Sequence, residues 1–577
     1  MVATLSVFVQ AWALRFFVGG DTTSYLDMGD AYLRGDWKMA INAYWSPLYS
    51  LLIVIPRRLL SIPMYWEPMV IQLVDLLIFL SVLASFEYFM SVLVRHRPSS
   101  APGVNLAPLP AWALRSIGYG LFLYSTSIWL PFEFGLPDLL VMGIVFLIFA
   151  CLIKLRFENG KRIVSCGLGL LLGIGYLTKA AMFPMAFIFL ATALLVAGRS
   201  KRAAVGALLA SLVFLIVSAP LIYALSKAKD RLTFGDSAKI NYAMHVNDLP
   251  KFIHWQGAET GSGIPVHPTR KILDVPPVYE FATPVRGTYP PWNDPSYWWE
   301  GVIIRFSTRQ QVMVLASNLR LYVEMMTEQA EFPTALLSLC FFAASFWSCA
   351  RGLGRQWYLW IPCATAMLMY ALIHVESRYV EGYWIVLWIG LFSRLALPDF
   401  EASRKFIRCV TLAVVILVGV RVLSATESGL HRFIQVNNAR GSYLSWEVAE
   451  KLRQMGIQPG DHVASIGNSY DNYWARLAGV SIVAEIPAEG TEIFWESSPS
   501  VKDRVYEAIV KTGAKAIVSD SVPPGVSPTG WVRIDRENSA SQSGTFFVYL
   551  LASYSRAAAI NRCRNSGCAR AHTFVGS

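Results

Sequence analysis

The sequence predicts an α-helical polytopic membrane protein of about eleven transmembrane helices, followed by a small C-terminal α/β domain. Three observations lead there. Of 577 residues, 54% are hydrophobic and only 15% are charged, with a mean hydropathy of +0.43. Apolar runs of membrane-spanning length recur as far as about Ser424, and a helix needs about 20 such residues to cross a bilayer. Beyond Ser424 the continuous hydrophobicity stops, and short helix-like and strand-like stretches alternate.

Taken in order, the spans fall near residues 1–18, 67–94, 109–130, 136–153, 163–180, 182–198, 203–225, 332–350, 357–373, 379–397 and 406–424. The first has no basic flank and no small-residue cleavage site, so it reads as a retained helix rather than a removed signal. With the N-terminus cytoplasmic, the inner connections hold fifteen Lys and Arg, from Arg95 through Lys154, Arg202 and Arg351 to Arg408. The short outer connections hold Arg57, Arg58, Lys179 and Arg378, so the positive-inside rule sets this orientation. Ser46 to Leu60 is apolar but short, carries Pro47 and Pro56, and ends in Arg57-Arg58. It is predicted to lie in the outer interface, because a true span there would turn most of the inner charges outward.

Residues 1–425 then form the membrane domain, with outer loops at 19–66 and 226–331, residues 426–555 form an extracytoplasmic α/β domain, and residues 556–577 form a basic tail. In the second domain, elements are expected at Tyr443 to Met455, His462 to Ile466, Tyr470 to Leu477, Val480 to Glu485, Val501 to Lys511, Ala516 to Ser519 and Thr545 to Leu551. Gly456 follows the first as a C-cap, and Pro459-Gly460-Asp461 turns into the first strand.

The net charge of +11 sits in the connections between apolar runs, where orientation determinants belong, and does not indicate nucleic-acid binding. Six of eight cysteines lie in or beside spans as small apolar residues, and only Cys563 and Cys568 are left to pair in the tail. Gly467-Asn468-Ser469 after a predicted strand lacks the later glycines of a dinucleotide fingerprint. His245, His254 and His267 are widely spaced, without an acidic partner nearby in sequence. No obligatory metal or other cofactor is expected.

Three segments carry a family resemblance. Asp21-x-x-x-Tyr25, with Gly35-Asp36-Trp37 and Trp45-Ser46-Pro47-Leu48-Tyr49 downstream, occupies the first outer loop. Gly173-Ile174-Gly175-Tyr176-Leu177-Thr178-Lys179 ends a helix, and His374-Val375-Glu376-Ser377-Arg378-Tyr379 opens another. Together with the topology these resemble the GT-C superfamily of membrane glycosyltransferases, near the branch of the lipid A aminoarabinose transferases and the protein O-mannosyltransferases. The likeness covers roughly residues 1–425. Two departures stand out: Ser46-Pro47 replaces a His-Pro-Pro or Lys-Pro, and Ala180-Ala181 and Val380-Glu381 lack the proline that follows the other two motifs.

The resemblance implies an inverting transfer of a sugar from a polyprenyl-phosphate donor to a lipid, glycan or protein acceptor at the outer face of the cytoplasmic membrane, without a nucleotide. Asp21 would be the general base, the alternative being a cap on the helix that follows. Arg378 and Lys179 would meet the phosphate that gains charge as the bond breaks, the alternative being snorkelling to headgroups. His374, Glu376 and Tyr379 surround Arg378 in sequence, and Tyr25 belongs to the first motif. Glu133 and Asp138, in the turn Pro131 to Asp138, would contact sugar hydroxyls, with Asp138 equally placed to cap a helix. Asp27, Asp30 and Asp36 read as solvated helix-face charges, and Arg15 as a snorkelling cation. The Pro- and Trp-rich middle loop reads as an irregular cap at the interface, with sugar stacking as the alternative. Two other functional classes compete: a transporter or lipid flippase, against which no internal repeat is found, and a scaffold that has lost catalysis.

Overall fold

The structure is a computed structural model that describes residues 2–13, 15–97, 106–129, 137–158, 162–198, 200–250, 254–267, 269–281, 286–342, 354–439, 444–523, 526, 528–534 and 545–551. Contacts divide the chain into two compact units. The first comprises Met1–Phe17, Met28–Leu249 and Ile303–Gln435; the second comprises Val18–Asp27, Pro250–Val302 and Val436–Ser577. This division differs from a boundary near residue 425. Parts of both outer loops pack with the C-terminal segment instead of forming free-standing loops.

The first unit is helical apart from a two-stranded antiparallel sheet, Leu106–Pro108 with Ala396–Pro398. Among the described residues, four helices are long and apolar enough to cross a membrane: Met64–Arg95, Asp138–Phe157, Lys201–Ala228 and Glu401–Ser428. Each falls on an expected span. Shorter apolar helices cover Arg162–Thr178, Met182–Ala197 and Glu331–Phe341. The run Ala111–Tyr124 passes into a five-residue π-helical turn, Ser125–Trp129, which continues the same rod. Fully buried Phe86 packs on Phe122 and Phe146 with ring centroids 4.8 and 5.2 Å apart, so large flat side chains fill the centre of the bundle. Asp138–Phe157 has 78% of its apolar window buried, whereas Lys201–Ala228 and Glu401–Ser428 have only 28% and offer the remainder to lipid.

Helix pairing here depends on small residues. A Cβ on Gly169 would sit 2.2 Å from the Ala210 carbonyl oxygen, and one on Gly173 would sit 2.5 Å from Val217. Glycines four apart on Arg162–Thr178 therefore bring its backbone against Lys201–Ala228, the small-xxx-small packing of membrane helices.

The segment Ser46 to Leu60 does form a short helix, Pro47–Leu59, opened by proline in its first turn. Its Arg57 pairs with Asp30 at 2.6 Å and with Glu67 at 3.1 Å. The middle loop is not irregular throughout. It contains the 21-residue helix Thr308–Glu328, capped by Ser307. One stripe of that helix, Asn318, Tyr322 and Met325, is buried, and Asn318 and Tyr322 donate to the Ala371 and Met367 carbonyls. Arg309, Gln310, Gln311, Asn318, Arg320 and Glu324 interrupt its apolar positions, so it does not read as a continuous apolar run.

The second unit is built on a seven-stranded sheet. In sheet order the strands are Arg270–Leu273, Val278–Glu280, Ser481–Pro487, His462–Gly467, Ala516–Ser519, Phe546–Leu550 and Val532–Ile534. The three central strands run parallel and the outer ones antiparallel. Strands expected at His462 to Ile466, Val480 to Glu485 and Ala516 to Ser519 coincide with central ones. The two strands drawn from the middle loop were not anticipated, because three or four residues with no alternation give no periodic signal. Phe494, Ile509 and Ile517 are fully buried in the core beneath the sheet. Gly456 and Gly460 adopt φ of +90° and +91°, the left-handed geometry their cap and turn positions require.

Candidate active site

Asp21 lies in the first turn of the helix Gly20–Arg34, where the helix dipole favours a carboxylate. Its Oδ1 accepts a hydrogen bond from Trp292 Nε1 at 2.9 Å and another from the Tyr470 hydroxyl. The two donor rings meet edge to face at 5.1 Å, and Ser24 Oγ donates to the Trp292 carbonyl at 3.3 Å. Gly20 makes room for this arrangement: a Cβ there would stand 2.7 Å from the Tyr470 carbonyl oxygen and 2.8 Å from its ring. Glycine is therefore required next to the acid for steric reasons. Tyr25, in the same helix, is buried.

Asp27 departs from expectation. It is buried rather than solvated, and it accepts from Thr288 N at 2.7 Å, Thr288 Oγ1 at 3.1 Å and Arg476 at 2.5 Å. A carboxylate with these donors is a fixed anchor that orients the helix bearing Asp21. Asp30 is likewise buried and paired with Arg57, and Asp36 caps the turn at Met39. Arg15 is buried too: it donates to the Trp12 carbonyl at 2.6 Å and lies over the Trp12 and Phe16 rings, so it does not snorkel freely. The tryptophans of the middle loop are interior. Trp255 stacks on Trp299 at 5.6 Å, and Trp298 donates to the Pro290 carbonyl.

A second cluster lies within the first unit at the start of the helix Ser377–Ser393. Arg378 Nε donates to Glu376 Oε2 at 2.5 Å, while His374 Nε2 lies 3.2 Å from Oε1. The Tyr379 hydroxyl reaches the same carboxylate at 3.3 Å. Burial pushes the Glu376 carboxyl up, but the His374 hydrogen bond and the Arg378 guanidinium outweigh it and hold it down at about 2. His245, set aside in sequence for want of a partner, stacks on His374 at 4.1 Å with rings nearly parallel.

Lys179 and Asp138, read separately in sequence, form one ion pair, with Asp138 buried. The Lys179 ammonium also lies 3.7 Å from the Tyr379 ring centroid, a cation–π contact that ties two of the three motifs together. Glu133 lies outside the described residues. Glu381, one turn into the helix Ser377–Ser393, is buried, and among the described residues neither carboxylate oxygen has a hydrogen-bond partner. In sequence it had registered only as a departure from a proline pattern.

Among the described residues no cluster of three His, Cys, Asp or Glu is placed to hold a metal ion. His254, however, does have an acidic neighbour, with Nε2 3.7 Å from Glu485. Trp292, Tyr470 and Arg476 do not stand out in the sequence: Trp292 lies 271 residues from the Asp21 carboxylate, and Tyr470 and Arg476 lie 449 from those of Asp21 and Asp27.

Neither protein-family models nor curated protein sequences match this chain. Solved structures do. ArnT from Cupriavidus metallidurans bound to undecaprenyl phosphate is similar at a TM-score of 0.50 and 11% identity, over 95% of this chain and 97% of that one. The apo state of the same protein gives 0.42 at 12% identity, over 96% and 97%. The Archaeoglobus fulgidus oligosaccharyltransferase gives 0.44 at 12% identity, over 90% of this chain and 68% of that one. At such identities the likeness is one of fold alone: the chain shares the fold of the ArnT structure over nearly its full length.

Proposed function

We propose that the protein is an inverting glycosyltransferase that takes one hexose or pentose from a polyprenyl-phosphate donor and attaches it to a lipid, glycan or protein acceptor. The observation that carries the reading is Asp21: a carboxylate in a helix's first turn, oriented by an indole N–H and a phenol O–H. Shared fold with a structure bound to undecaprenyl phosphate supports the donor class.

In this reading the acceptor hydroxyl passes its proton to the Asp21 carboxylate as its oxygen attacks the anomeric carbon from the face opposite the phosphate. The bond between that carbon and the phosphate oxygen breaks, and the polyprenyl phosphate leaves with the electron pair. A general base of this kind contributes about 10²–10⁴-fold. Arg378 meets the phosphate, and its charge becomes more valuable as the leaving group gains charge. Lys179 gives one of its ammonium hydrogens to Asp138 and has two others for the same phosphate. His374, Glu376 and Tyr379 hold Arg378 in place. By the family resemblance, contacts with sugar hydroxyls fall to Glu133 and Asp138, and no cofactor is assigned a part. Eleven spans carry the chain across the cytoplasmic membrane, leaving residues 426–555 outside.

The test is transfer by the purified chain from radiolabelled polyprenyl-phosphate sugars to a mixed acceptor extract. Asp21→Asn is expected to lower transfer at least about 10²-fold while leaving the elution profile and thermal unfolding unchanged. A well-folded Asp21→Asn protein that transfers sugar at the normal rate would refute the assignment.

A further inference from the structure

Within the second unit, a cavity of about 660 Å³ opens at the carboxyl ends of the parallel strands His462–Gly467 and Ser481–Pro487. Ligands of α/β sheets bind in such crevices, and the volume lies within the range of small-molecule sites. Its position follows from local chain geometry. Gly467 turns with φ of +114°, and the Asn468 amide that follows donates to the Asp520 carboxylate at 3.0 Å, which sets the loop leading to Tyr470. On the neighbouring strand, Pro487 is followed by the helix Ala488–Glu496, with Glu489 in its first turn.

The cavity wall is aromatic and acidic. Trp292 and Tyr470 line it, and these are the two rings that hold Asp21 Oδ1. Glu485 is buried in the wall and receives the Tyr289 hydroxyl at 2.8 Å; Asn468 and Glu489 are exposed at its rim. Among the described residues no Lys or Arg lines it. Aromatic faces accept the C–H face of a sugar ring, and amide and carboxyl groups exchange hydrogen bonds with its hydroxyls. A phosphate or carboxylate would instead meet the carboxyl groups of Glu485 and Glu489.

We propose that this cavity is a binding subsite for an uncharged, hydroxyl-rich sugar unit of the acceptor, placed beside the carboxylate that activates the attacking hydroxyl. The subsite rests on the reading of Asp21 as the base, but its binding step can be measured without a donor. Burial raises the Glu485 carboxyl to about 7 and lowers the His254 imidazole, so near neutrality this wall can both donate and accept hydrogen bonds.

The experiment is ligand-observed saturation-transfer NMR on the full chain in nanodiscs, since a glycoside detergent would compete. The probes are methyl glycosides of neutral hexoses and pentoses, with glucose 6-phosphate, glucuronate and glucosamine as comparisons. At least one neutral glycoside is expected to bind roughly tenfold more tightly than any charged probe. Asn468→Ala and Glu489→Gln, both at the exposed rim, are each expected to weaken it by up to about tenfold, the worth of one hydrogen bond. Absence of neutral-glycoside binding, equal binding of the charged probes, preference for glucosamine, or indifference to both rim substitutions would overturn the proposal. Binding without transfer from any donor would keep the subsite and remove the reaction; transfer without neutral-glycoside binding would do the reverse.

Discussion

Glu485 is only 2% exposed, and burial outweighs the Tyr289 hydrogen bond to raise its carboxyl from 4.5 to about 7. The sign of the consequence follows from linkage. Below the unfolded value both states hold the proton; as pH rises towards the folded value, the unfolded chain releases its proton while the native chain keeps it, and stability falls. Above about 7 the loss levels off at roughly 3 kcal/mol, the worth of the shift from 4.5 to about 7. Glu485→Gln should therefore unfold at a higher temperature than the wild type at pH 8 and at about the same temperature at pH 4. Parallel pH profiles for the two proteins would show that the carboxyl is solvated instead. Burial raises the Asp27 carboxyl as well, but three donors, one of them the Arg476 guanidinium, surround it and offset part of that rise. Two carboxylates on one helix thus have different tasks, Asp27 as an anchor and Asp21 as the group presented for chemistry in the proposed reaction.

Between elements, the close pairing of Arg162–Thr178 with Lys201–Ala228 depends on Gly169, because a methyl group there would stand 2.2 Å from a backbone oxygen that cannot rotate away. Gly169→Ala is expected to cost about 1–3 kcal/mol by overpacking and to lower the thermal unfolding midpoint. Gly167→Ala, on the same helix with nothing within 4 Å, serves as the control and should leave the midpoint unchanged or raised by helix propensity. Equal effects at the two positions would mean that helix propensity, rather than the contact, governs. The same helix ends at Thr178, one residue before Lys179, so loosening it would also shift the ammonium that pairs with Asp138.

For the whole molecule, the distribution of charge predicts the orientation in the membrane. Fifteen basic residues in the connections assigned to the cytoplasm require an odd number of spans to carry the residues after Ser424 outside. A periplasmic-active phosphatase reporter fused after Ser577 should be active and a cytoplasm-active one silent, and the reverse pattern would reject the count of eleven. The fold itself is less sensitive to that count: it extends over nearly the full length of the aminoarabinose transferase structure despite 11% identity. Such similarity survives because a bundle needs only apolar volume and small residues at its crossings, whereas a site needs particular atoms.

Apolar runs longer than a bilayer is thick have one common solution, so the four long spans and the membrane class were determined by local sequence. The central strands at His462, Ser481 and Ala516 were also legible, because buried parallel strands read as short continuous apolar runs. Asp21, Lys179 and Arg378 were legible as motif positions. What surrounds them was decided only in three dimensions: the indole and phenol on Asp21, the pairing of Lys179 with Asp138, the stacking of His245 on His374, and the recruitment of Arg270–Leu273 and Val278–Glu280 to the C-terminal sheet. Periodicity reports which face of a segment is buried. It carries no information about which residue hundreds of positions away will cover that face, and contacts of that range form the Asp21 site.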